Sequence, residues 1–192
     1  IALSSRLEKT WLIWVASPSF LSDPVMIDFG LTMEKQPGAI STGIITASTI
    51  EGARNLWIRG SQVQGQNLFA VNGTYPSAHV YEGRIVDFSH EDRVSSSLTK
   101  VSFRDVLNRA DYLTFTGHGG NAYIAFDENT KFTTADIPPL DAVVIGTGSC
   151  QTVRPWKEDS IALRFIDQGA AAYSGFVFSP MEGFLLGEFD GL

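Results

Sequence analysis

The chain is poor in cysteine, in histidine and in charge. One Cys among 192 residues excludes internal disulfides and leaves a single thiol to be explained on its own. His79, His90 and His118 are the whole supply of imidazole, and no Cys/His cluster has the spacing of a zinc site, so neither a metal nor a cofactor is expected. Long apolar runs are missing too. Residues 11–16 form the longest near the start, far short of the roughly 20 needed to cross a bilayer, and they lack the basic flank and cleavage pattern of a signal peptide. Lys and Arg number 14 against 21 Asp and Glu, a net charge of -7, and no basic cluster offsets it, which argues against a nucleic-acid partner. The glycines at 117–120 and at 146 and 148 lack the Lys that grips phosphate in a P-loop. Ser149 is not a hydrolase elbow serine, because Gly-x-Ser-x-Gly fails at Gln151.

What is there describes a globular domain. Hydrophobic residues make up 44% and charged residues 18%, and the length suits one domain with or without an added segment. Residues 1–39 form an N-terminal segment of unknown role: 11–16 reads as a short buried strand or helix turn, 17–24 breaks any helix, and Pro37-Gly38 is a turn. From residue 40 to 192 the pattern is regular. Strands are expected at 43–48, 84–88, 111–116, 141–147 and 170–178, each short and apolar.

Helices are expected after an N-cap at Thr49, with Ala53, Leu56 and Trp57 covering the sheet; from Ser102 through Arg109, with Phe103, Val106 and Leu107 on one face; and over 158–168, closed by Gly169. Residues 60–78 read as a long connection, and 121–133 as a hairpin. This alternation predicts an α/β fold with a mainly parallel central sheet covered on both faces. The last residues, 184–192, look like an amphipathic helix cut short, so further domains or chain segments are expected.

His118 and Cys150 each follow an apolar strand and are flanked by small residues. Ligands of open α/β sheets bind beyond the carboxyl ends of the strands. If the strands at 111–116 and 141–147 are neighbours, both side chains emerge at one rim. That is the geometry of a nucleophilic pair, with Cys150 attacking an acyl carbon and His118 handling the proton. A backbone N–H at Gly119 and that of Cys150 are the expected donors to the developing oxyanion.

Thr116-Gly-His-Gly-Gly120, Ala142-Val-Val-Ile-Gly-Thr-Gly-Ser-Cys150 and the helix-Gly-strand run 160–174 together resemble the caspase-like group (clan CD) of cysteine peptidases. The chain is most similar to the gingipain-type branch, with the CHAT-domain branch second. The resemblance spans residues 40–180 as a pattern, and its specific part lies within 111–175. It implies a caspase-like (caspase-hemoglobinase) three-layer sandwich and an endopeptidase acting on peptide or protein substrates, with Cys150 and His118 as its dyad. The alternative is an inactive interaction module that keeps the fold; a zymogen-like state awaiting a partner or processing is a third reading.

For substrate binding, Asp87 could accept a basic side chain, Trp156 could wall a pocket, and Ser174, within the expected strand at 170–178, is a further candidate. For Asp87 a surface carboxylate is the preferred reading, and for Trp156 a structural role weighs equally. His79 and His90 read as solvated loop residues, as do the acids at 87, 91, 92, 127 and 128, for which calcium is the weaker reading. Asn72-Gly-Thr74 fits a glycosylation sequon and, equally simply, a turn. Compartment stays open: a lone thiol suits the reducing cytoplasm, whereas the gingipain-type branch is largely exported.

Overall fold

Short β-branched and aromatic runs assemble into one six-stranded sheet. The computed structural model describes residues 47–74, 83–89 and 94–179, together with two earlier strands at 12–15 and 42–45. Those two, β1 (Leu12–Val15) and β2 (Thr42–Ile45), pair in parallel, so strand partners lie on both sides of residue 40. The turn at 37–38, the break at 17–24, His79, His90 and the helix start at 184–192 lie outside the described residues.

The central sheet uses β3 (Leu68–Asn72), β4 (Arg84–Asp87), β5 (Val94–Ser97), β6 (Tyr112–Thr116), β10 (Val144–Thr147) and β11 (Ala172–Ser174). Their order is β11-β10-β6-β3-β4-β5. The first four are mutually parallel, while β4 and β5 add an antiparallel edge. Between β6 and β10 the expected hairpin is a three-stranded antiparallel sheet, β7 (His118–Gly120), β8 (Tyr123–Ala125) and β9 (Lys131–Thr133).

The region 60–78 is not a long connection. It contains β3, which pairs with β6 on one side and β4 on the other. Polar flanks hide this strand in the sequence, and its entry is fixed from a distance. The Asp111 carboxylate accepts hydrogen bonds from the N–H groups of Gln66 at 3.0 Å and Asn67 at 2.9 Å, and from the Asn67 amide at 3.1 Å. These bonds, the Asn67 N–H first, hold the carboxyl below its ordinary value despite some desolvation.

Three helices are described: α1 (Ile50–Gly60), α2 (Lys100–Leu107) and α3 (Ile161–Gln168). Thr49 caps α1 as expected, its hydroxyl accepting from the Gly52 N–H. Ala53 and Leu56 pack against the core, but Trp57 is 72% exposed and does not cover the sheet. For α2 the N-cap is Thr99 rather than Ser102, which instead completes a reciprocal capping box at the third helical position. Ser160 caps α3, and Gly169 ends it at φ 122, where a Cβ would fall on the Leu140 carbonyl.

Sheet residues of one parity face the core: Phe69, Val71, Leu113, Phe115 and Ile145 are each 5% exposed or less. All three helices pack on this face. The strand sequence β3, β6, β10, β11 advances in one direction, and right-handed crossovers advancing one way deposit their cover on the same side. Phe103 of α2 meets Phe115, Phe126 and Phe132 edge-on, with ring centroids 4.8 to 6.1 Å apart. Among the described residues no helix lies on the opposite face, where Leu68 is 39% and Tyr112 42% exposed. The architecture is a mixed α/β fold with a mostly parallel central sheet, compatible with a three-layer sandwich.

Candidate active site

The strands preceding His118 and Cys150 are direct neighbours. β6 and β10 pair in parallel with Phe115 opposite Thr147, and the Gly148 N–H extends the pairing to the Phe115 carbonyl at 2.7 Å. His118 and Cys150 thus lie at the same offset past a matched pair of strand residues. Beyond that point the two chains diverge. The His118 side enters β7 and turns back through β8, while the Cys150 side makes a tight turn in which Gln151 takes the left-handed conformation at φ 57.

Gly119 is where the two sides touch. A Cβ placed there would stand 2.7 Å from Ser149 Cβ, 2.9 Å from Thr152 Cγ2 and 3.2 Å from the Cys150 carbonyl oxygen. The absent side chain is what lets the His118 strand lie against the Cys150 turn. His118 is an exposed residue and Cys150 a half-buried one.

The turn is braced from two sides. Behind it, Thr152 and Thr147 share a hydroxyl–hydroxyl bond of 2.8 Å, and the Thr147 hydroxyl reaches the Ser174 carbonyl at 3.1 Å. Beside it runs the segment after β11: the Gln151 N–H donates to the Phe178 carbonyl at 3.3 Å, and the Val153 N–H to the Phe176 carbonyl at 3.1 Å. Arg154 donates from Nε to the Val177 carbonyl at 2.8 Å and stacks over the Phe178 ring at 5.6 Å. Tyr173 points its phenol at the same threonines. Burial dominates there and pushes the phenol up to about 12, partly offset by the two hydroxyls. Neither approach has the geometry of a hydrogen bond, and the phenol oxygen is buried without one.

Of the expected substrate residues, Ser174 does sit at this rim, paired with Gly146 and bonded through its carbonyl to Thr147. Trp156 lies half-buried in the loop leaving the Cys150 turn. Asp87 is elsewhere. It pairs with Phe69 at the far end of β3, because β4 runs antiparallel, and its carboxylate accepts from the Ser89 N–H at 2.8 Å. The register puts Arg84, not Asp87, at the end nearer His118. Thr147, Thr152 and Gly175 were not legible as site residues; the one sequence signal was a glycine interrupting the apolar run 170–178.

No group of three or more His, Cys, Asp or Glu among the described residues is arranged to hold a metal ion. No helix among them is long and apolar enough to cross a membrane. Comparison of the chain with protein-family models, with curated proteins and with solved structures finds no match.

Proposed function

We propose that the chain is a caspase-like cysteine endopeptidase domain, similar in plan to the gingipain-type branch, that hydrolyses peptide bonds without a cofactor. The observation that carries this reading is the β6–β10 register, which sets an imidazole and a thiol at equal offsets beyond one rim, with Gly119 against the Cys150 turn. A chance pair of polar residues would have no reason to share a rim, a matched offset and a glycine contact.

The chemistry needs only these groups. His118 takes the thiol proton as the sulfur of Cys150 bonds to the scissile carbonyl carbon. The carbonyl oxygen becomes an oxyanion, for which the N–H groups of Gly119 and Cys150 are the donors. Collapse breaks the C–N bond, and His118 returns the proton to the leaving amine. Water, deprotonated by the same imidazole, then hydrolyses the thioester and frees the acid and the thiol. Ser174, at the end of β11, and Trp156, in the loop that follows the Cys150 turn, are candidates for substrate contact.

Incubation with a diverse peptide mixture, read by mass spectrometry, tests the assignment. The native chain is expected to cut, and Cys150→Ala to be inert with a melting temperature within about 2 °C, since Cys150 is a half-buried residue and loses one atom in the change. Cleavage surviving in Cys150→Ala would refute the assignment. A folded native chain that cuts nothing would favour the non-catalytic module.

A further inference from the structure

We infer that Thr152 is the positioning residue whose hydroxyl anchors the Cys150 turn of this site, an inference resting on the reading of Cys150 as nucleophile and His118 as its partner. Thr152 is polar yet fully buried, at 0% exposure. A buried hydroxyl persists when it is satisfied, and this one lies 2.8 Å from Thr147 Oγ1 and 3.4 Å from the Ser149 carbonyl at the entry of the Cys150 turn; with Thr147 donating to Ser174, the single Thr152 proton is shared between these two acceptors. Its methyl group faces the other way. Thr152 Cγ2 is among the atoms that a Cβ on Gly119 would strike, at 2.9 Å. One side chain therefore touches the cysteine turn through oxygen and the histidine strand through carbon.

The turn has need of such a hold. Gln151 sits in a left-handed conformation that residues with a Cβ seldom adopt, so the turn does not hold itself. Anchorage from β10 comes through Thr147, whose own hydroxyl continues to the Ser174 carbonyl. Gly175 leaves room for the pair: a Cβ there would collide with Thr147 Oγ1 and stand 2.7 Å from Thr152 Oγ1. The hydroxyl chain from β11 through β10 to the turn is thus closed on every side, and Thr152 is the member that reaches Cys150's neighbours.

Two substitutions separate the oxygen from the carbon. Thr152→Val keeps the methyl contact with Gly119 and removes the bond to Thr147; Thr152→Ser keeps the bond. The full chain is labelled with iodoacetamide at pH 7, and the alkylation rate of Cys150 is followed by intact mass. Cleavage of any peptide found to be a substrate is measured beside it. The valine variant is expected to label about tenfold more slowly, with kcat down about tenfold and KM within about twofold, because displacement of reacting groups costs rate rather than binding. The serine variant is expected to stay within about threefold of the native chain in both rates. Native labelling rates in Thr152→Val would overturn the inference. Should the valine variant not fold, serine decides: a tenfold loss there would also overturn it. If the native chain cuts no peptide, the endopeptidase reading fails, while the alkylation rates still report whether Thr152 places the sulfur.

Discussion

Gly119→Ala is the most informative single change in this protein, because it adds one methyl group at the contact between the two halves of the site. In a β-strand, Ala in place of Gly ordinarily gains about 0.5–1 kcal/mol from reduced freedom of the unfolded chain. Gly119 does not use the left-handed region, so backbone strain plays no part. The opposing term is contact. The new Cβ would lie 2.7 Å from Ser149 Cβ, about 0.8 Å inside the shortest ordinary carbon–carbon separation. Ser149 is fully buried, and the third neighbour is the Cys150 carbonyl, so none of the three can swing aside as a flexible side chain would. Overpacking of this kind costs about 1–3 kcal/mol. Net of the gain, about 0–2.5 kcal/mol is lost, and since each kcal/mol moves the melting temperature of a chain of this size by about 2–4 °C, a fall of up to about 10 °C is expected. Calorimetry of the variant beside Gly60→Ala provides the control. Gly60 is helical with nothing within 4 Å of an added Cβ, and its substitution is expected to raise the melting temperature by about 1–4 °C. A Gly119→Ala protein as stable as the native chain, and cutting at the native rate, would show that the His118 strand and the Cys150 turn are not in contact.

Two further outcomes follow from buried and bonded groups. Asp111 has its carboxyl held below the ordinary 3.8, first by the Asn67 N–H, so the folded state binds its proton less readily than the unfolded chain. Its contribution is present above pH 3.8 and is lost as pH falls through the depressed value; urea midpoints of Asp111→Asn between pH 5 and 2 are expected to fall less steeply than native ones, and parallel curves would contradict this. Tyr173→Phe removes a buried hydroxyl that makes no hydrogen bond, so thermal unfolding is expected at an unchanged or higher temperature, by up to about 4 °C. A fall of several degrees would mean that the phenol is satisfied after all.

Much of the fold was legible because single-segment patterns decide it. Of the apolar stripe that the sequence predicts for α3, Ile161, Phe165 and Ile166 are buried and Leu163 only partly so, and Gly169 ends the helix in a conformation that favours glycine. β6 and β10 stand where their apolar runs predict them, and their adjacency, on which the site depends, is what short parallel crossovers favour. β3 was missed because its edges are Asn and Gln and because its entry is fixed by Asp111, more than 40 residues away. No local pattern reports such a bond. Trp57 was misplaced for a related reason: helical spacing defines a face but not its width, and Ala53 with Leu56 proved enough to seat α1 on the core.

The candidate site divides along the same line. His118 and Cys150 were visible because each ends a strand, which is a local property. The reverse placement of Asp87 was not, since it depends on the direction of β4, and a strand of four residues carries no sign of whether it runs with or against its neighbour. Thr147, Thr152 and Gly175 stayed hidden because each takes its meaning from atoms supplied by another segment.

Covalent trapping tests the central claim most directly: a set of peptidyl electrophiles varied at the residue before the reactive group, applied to the native chain and to His118→Ala, with the adduct located by mass spectrometry. A pair that works as one unit gives an adduct on Cys150 that depends on the peptide sequence and forms at least about a hundredfold more slowly without the imidazole. Equal trapping rates in the two proteins, or an adduct formed without regard to the peptide, would show that Cys150 reacts as an ordinary thiol and that the shared rim carries no catalysis.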